Sequence, residues 1–135
     1  MAYSSFENLE VWRRATDLAV AVFREVEAIP SLALRNQIQR SVVSVPSNIA
    51  EGAERDSSGD YVRFLRIAKG SAAELRTQLL ISRRLGYLSE GFAKGAEDEA
   101  RQIGAMLQGL IRSMASGEFR ESAEDSPGYT AIRDI

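Results

Sequence analysis

Glu51 and Glu74 are the side chains of this 135-residue sequence best suited by type to general acid–base work. That chemistry needs two carboxylates held at a fixed separation with their proton affinities driven apart, so the segments carrying them must bring them level. Arg40, Arg55, Arg63 and Arg66 stand nearby in sequence and favour both glutamates as ionised members of charge pairs, which is a structural role. There is no cysteine and no histidine. Disulfides, zinc fingers, thiol nucleophiles, serine–histidine triads and imidazole metal ligands are thereby excluded. A di-iron bundle site would need Glu-x-x-His, and neither common Gly-rich phosphate loop is present. The reading is of a protein that is not an enzyme, with no catalytic residues, no metal site and no cofactor.

Binding chemistry is better represented. Gln37, Ser41, Ser44, Asn48, Glu51 and Arg55 recur at helical spacing and form a polar stripe about 80° wide. Gly70, Ser71, Glu74 and Gln78 form a second stripe of small and polar groups between Ile67 and Ile81, expected on the side of their helix away from its core. Small residues admit a close helix–helix approach, so the two stripes are expected to make hydrogen-bonded contacts between helices or between subunits. Arg63, Arg66, Lys69, Arg76 and Arg83 make a cationic edge, expected to be balanced by acids such as Glu97, Asp98 and Glu99. If several subunits repeated that edge around one axis, the potentials would add into a zone able to hold phosphates.

Net charge is −2, with residues 35–84 basic and both flanking regions acidic. Fifteen of the 17 cations are arginine, the cation suited to bidentate pairing with carboxylate or phosphate. The isoelectric point near 5.3 argues against a dedicated nucleic-acid binder.

The elements that must position these groups follow from sparse punctuation. Ile29-Pro30-Ser31, Arg55 to Gly59, Leu85 to Ser89 and Ser116-Gly117 divide the chain into four long segments and a tail. Ser31, Ser57 and Ser89 are expected N-caps. The first segment carries one apolar arc of Leu9, Trp12, Thr16, Ala19, Phe23 and Val26, expected to face the core. A second arc of Val11, Ala15, Leu18, Val22 and Ile29 lies beside it. One core needs only one arc, so Val11, Ala15, Leu18 and Val22 are expected at an oligomer interface.

Leu34, Ile38, Val42, Val45, Ile49 and Ala53 align in the second segment, in phase through Pro46, which predicts one kinked helix. Tyr61, Phe64, Ala68, Ala72, Leu75 and Leu79 align in the third, and Phe92, Ala96, Ile103, Met106, Leu107, Leu110 and Met114 in the fourth. Short loops between four such helices predict an all-α, antiparallel up-down-up-down four-helix bundle over residues 1–116. Residues 117–135 are acidic and aperiodic and are read as a flexible tail, with docking of Phe119, Tyr129 or Ile132 on a neighbour as the alternative.

Several stretches also carry a family pattern. Ser5 to Leu9 with Trp12, QIQRSVVSVPSNIAEG at 37–52, Arg55, YVRFLRIAKGSAAELRTQL at 61–79 and LGYL at 85–88 resemble the 23S ribosomal RNA intervening-sequence proteins, over about residues 5–115. That family has a four-helix-bundle fold. It is similar in fold to the accessory variability protein of diversity-generating retroelements, a pentameric barrel that binds a reverse transcriptase and nucleic acid. The resemblance implies a homopentamer and marks Asn48, Glu51, Gly52, Arg55, Gly70, Ser71 and Glu74 as family-pattern positions, none with a catalytic role.

The expected function is that of a self-assembling scaffold or interaction module whose partner is itself, with another protein as the further candidate. The alternative is an RNA- or DNA-binding accessory factor using the basic edge. A cytoplasmic location is expected, with no membrane partner, because no apolar stretch approaches the roughly 20 residues that span a bilayer.

Overall fold

The computed structural model describes residues 5–116. A 3-10 turn, Phe6–Asn8, leads into α1 (Glu10–Glu25), and a second, Val26–Ala28, leads through Pro30 to α2 (Leu32–Ala53). Helices α3 (Ser58–Arg84) and α4 (Glu90–Ser116) complete an all-α four-helix bundle. The readings of residues 117–135 lie outside the described residues.

Helices α2, α3 and α4 each start where a serine hydroxyl meets the unpaired amides of a first turn, whereas α1 begins at Leu9 with no side-chain cap. Ser31 accepts from the Leu34 amide at 3.2 Å, Ser57 from Asp60 at 3.1 Å and Ser89 from Phe92 at 3.2 Å, so all three expected caps are made. The α3–α4 turn closes on Gly86, whose φ of +77° is the left-handed conformation that glycine adopts without steric cost. Helix α2 stays one helix through Pro46, as its unbroken apolar phase requires.

The core stripes of α2, α3 and α4 follow those read from periodicity, Ile38, Val42, Val45 and Ile49 meeting Tyr61, Ala68, Ala72, Leu75 and Leu79 with Ile103, Leu107 and Leu110 behind them, and Leu65, which periodicity did not mark, is fully buried among them. The centre of the bundle, between Ala15, Leu18, Val42, Val45, Ala72 and Ile103, has no room for a water-sized sphere.

Helix α1 corrects the expectation. Val11, Ala15, Leu18 and Val22, assigned from sequence to an oligomer interface, are buried in the core of their own chain, Val22 completely. They cannot present a surface to a second copy. Their arc is wholly aliphatic, whereas the arc chosen for the core contains the bulky Trp12 indole with its polar N–H and the Thr16 hydroxyl, whose oxygen even off centre is buried without a hydrogen-bond partner. Arg14, on the other side of the buried arc, reaches α4, so the core face of α1 is centred between α2 and α4. The arc of Trp12, Ala19 and Phe23 is displaced outward. Trp12 packs edge-on to Phe6 with ring centroids 5.2 Å apart, while Phe23 is left 42% exposed. No helix of the described residues is long and apolar enough to cross a membrane.

Candidate functional site

The two polar stripes meet each other. Ser41 Oγ donates to Gln78 Oε1 at 2.7 Å, and the Ser44 and Ser71 hydroxyls are 2.8 Å apart. Asn48 Nδ2 donates to the Ser44 carbonyl and hydroxyl at 2.8 and 2.9 Å, which orients Ser44 toward α3. The stripe of α3 was expected on the side away from its core. Instead Ser71 is buried and faces α2, so the stripes form a seam inside one chain.

The family-pattern positions acquire separate physical roles from this seam. Gly52 is the place of closest approach: a Cβ there would lie 2.8 Å from Phe64 Cβ and 3.2 Å from the Tyr61 carbonyl oxygen. Gly70, expected to admit a neighbouring helix, has nothing within 4 Å of its Cβ position and lies on the surface. Arg55 pairs with Glu51 at 3.0 Å one turn earlier, and its guanidinium lies 4.7 Å from the Phe64 ring centroid. Arg63 lies 4.5 Å from the same centroid, so one mostly buried ring carries two cations. Periodicity marked Phe64 as core and missed this second role.

Glu51 and Glu74 are not brought together. Ser41 opposite Gln78, Ser44 opposite Ser71 and Gly52 against Tyr61 and Phe64 fix the antiparallel register. Glu51 is therefore level with Phe64, and Glu74 lies about 15 Å further along α3 at 1.5 Å per residue. A glycosidase-type carboxylate pair spans roughly 5–9.5 Å. Glu74 is exposed, and Glu51 is engaged with Arg55.

The cationic edge is partly neutralised, as the acids of the fourth segment suggested. Arg83 forms a two-bond pair with Glu97, Nε to Oε2 at 2.9 Å and Nη2 to Oε1 at 3.2 Å, and reaches Glu90 at 3.5 Å. The hydrogen bond to Glu97 holds its guanidinium more firmly protonated than usual. Arg63 faces Asp60 at 3.7 Å, and Lys69 donates to Gln108 of α4. Arg66 and Arg76 remain exposed with no ion pair among the described residues.

Beside them, α3 and α4 enclose an open groove of about 580 Å³ lined by Ala73, Thr77 and Leu80 and by charges of both signs, Arg76, Lys94 and Arg101 with Glu97 and Asp98. Among the described residues no three His, Cys, Asp or Glu side chains cluster to hold a metal. On the opposite side of α4, Glu99 and Gln102 clamp Arg14, at 2.7 and 2.8 Å for the two Glu99 bonds and 2.7 Å for Gln102. This lock between α1 and α4 was not read from sequence. Its signal is Glu99, Gln102 and Met106 recurring on one face of α4.

A model of the 23S rRNA-intervening sequence protein family matches residues 7–109, the span that contains the seam, Gly52 and Gly70. The chain belongs to that family. The fold of this family member is similar to that of a solved protein of unknown function from the S23 ribosomal protein family of Bacteroides thetaiotaomicron, with a TM-score of 0.72. The two share 23% identity over 75% of this chain and 97% of that one, a likeness of fold alone. A comparison with curated proteins finds no match.

Proposed function

We propose that this family member is a non-enzymatic, cytoplasmic interaction module that works by self-association, with the outer face of the α1–α2 hairpin as the contact. One observation carries the reading: Val20 and Phe23 on α1 and Val43 on α2 stand 47%, 42% and 42% exposed, while the polar groups of the family pattern are largely spent on contacts within the chain. Large aliphatic and aromatic groups left this exposed favour burial against another protein surface, and Leu32, Ile67, Ile81 and Leu85 are exposed elsewhere on the bundle. A second copy is the simplest partner, and five copies is the number implied by the family resemblance. Light scattering at micromolar concentration tests it: a mass several times 14.9 kDa is expected, and a mass of one chain overturns the reading.

The exposed cations Arg66 and Arg76 support the second reading, an accessory factor that holds RNA or DNA phosphates. It predicts binding whose affinity falls steeply with salt and weakens in Arg66→Ala and Arg76→Ala. No binding to structured RNA at low salt overturns it.

A further inference from the structure

The bundle leaves large apolar side chains exposed on two of its sides. Helix α1 packs on α2 and α4, and α3 packs on the same two, so α1 and α3 stand at diagonal corners. On α1, Phe23 comes two and a half turns after Arg14, which reaches α4, and so lies on the opposite side, toward α2. Val20 and Arg24, one turn apart and both exposed, share the outer surface beside it. On α3 the seam residues Ser71 and Gln78 mark the side toward α2. Of their neighbours one turn away, Ala68, Leu75 and Ser82 are buried, whereas Ile67, Glu74 and Ile81 are exposed. These three recur every seventh residue, about 10 Å apart, as a line along the outer edge of the seam, with Leu85 exposed one turn beyond.

Each side carries one ionised group among its apolar side chains, and the two are opposite in sign. Arg24 stands beside Val20 and Phe23, and Glu74 between Ile67 and Ile81. Neither has an ion pair among the described residues. The same contrast holds for the segments that bear them. Residues 1–34 hold five acids and three cations, and residues 35–84 hold nine cations and five acids. The α1 side of one copy is thereby drawn to the α2–α3 side of another, while two α1 sides meet with the same sign. A two-fold contact of α1 with α1 would also leave Ile67, Ile81 and Leu85 in water.

We propose that the chain associates head to tail, α1 of one copy lying through Val20, Phe23 and Arg24 on the α2–α3 side of the next, against Ile67, Glu74 and Ile81, with Arg24 paired to Glu74. The inference rests on the self-association reading and adds to it the second face, the charge pair and the sense of the contact. Each copy then spends two different sides on two neighbours, so the assembly passes beyond a dimer and becomes a ring where the rotation closes.

Charge exchange tests the contact, with light scattering and circular dichroism on the full chain as the parent, Arg24→Glu, Glu74→Arg, the double exchange Arg24→Glu/Glu74→Arg, Ile81→Asp and Phe23→Asp. Arg24, Glu74 and Ile81 are exposed, so their variants should keep the helical signal of the parent. The parent should have a mass beyond that of two chains. Each single reversal sets like charges against each other in the contact, and it and Ile81→Asp should bring the mass several-fold down toward 14.9 kDa. The double exchange restores the pair with its sense inverted and should recover the parent mass. A parent with the mass of one chain overturns self-association, and this inference with it. An assembled parent whose mass survives Ile81→Asp and Glu74→Arg but falls in Phe23→Asp overturns the head-to-tail contact alone, because α1 then meets something other than the α2–α3 side. A double exchange that stays dissociated overturns the pairing of Arg24 with Glu74.

Discussion

At the scale of single residues, the two glycines of the family pattern should respond in opposite directions. In Gly52→Ala the new methyl meets Phe64 Cβ and the Tyr61 carbonyl oxygen, atoms fixed to the α3 backbone, so relief requires the two helices to separate. The variant should lose about 1–3 kcal/mol, outweighing the roughly 1 kcal/mol that alanine gains in a helix interior. Gly70→Ala adds a methyl to open space in a helix and should gain about 0.5–1 kcal/mol. Urea midpoints compared at constant m-value measure both, and a destabilised Gly70→Ala would refute the open-surface assignment. Asp98 gives a pH signature. Its bonds from Arg101 first, and from Gln102, make it a stronger acid when folded than when unfolded. Its contribution is complete above the ordinary carboxylate value of about 3.9 and fades as pH falls through the lower folded value. Asp98→Asn should therefore flatten the acid limb of the stability profile and leave the neutral limb nearly parallel to the parent. A carboxyl titration by NMR with its midpoint at or above the ordinary value would contradict the pairing.

At the scale of the elements, the seam of α2 and α3 joins two helices through side chains that each have an alternative in water when unfolded. Ser44→Ala strands the Ser71 hydroxyl and Ser71→Ala strands the Ser44 hydroxyl, so each alone should cost about 1–2 kcal/mol. The double variant leaves neither group facing an empty partner and should cost less than the sum by at least about 0.5 kcal/mol. Additive losses by denaturation would mean that the hydroxyls do not sense each other. These same residues show what was legible from sequence. Apolar spacing at helical period and the serines at 31, 57 and 89 were enough to place all four helices and three of their caps, because both signals are local. Both polar stripes were also visible. That Ser44 would face Ser71 was not, because register between antiparallel helices is decided by packing, here by the close approach at Gly52, and neither stripe encodes its partner. The same reasoning applies to Arg14 and Glu99, which are 85 residues apart in the chain.

At the scale of the whole molecule, the decisive question is which side of α1 faces inward. Two apolar arcs lie side by side on this helix, and periodicity measures how much apolar surface there is without saying which part the other three helices cover. With the wrong arc turned inward, Val22→Arg and Leu18→Glu look like substitutions that separate subunits. In the fold, Val22 is fully buried and Leu18 is 8% exposed, so either change places an unpaired charge in the core and should unfold the chain before any question of assembly arises. The substitutions that probe assembly are on the displaced arc. Phe23→Asp should keep the helical circular dichroism and a cooperative melt, with a midpoint lowered only modestly because the residue is 42% exposed, while the mass in solution falls toward 14.9 kDa. Val22→Arg should abolish the cooperative melt. If instead Phe23→Asp melts early and Val22→Arg remains folded but loses its partners, the inward face of α1 has been assigned backwards and the sequence-based choice of interface was right. Two variants one residue apart, read by the same two measurements, thus separate the burial that holds one chain together from the apolar face it leaves for another.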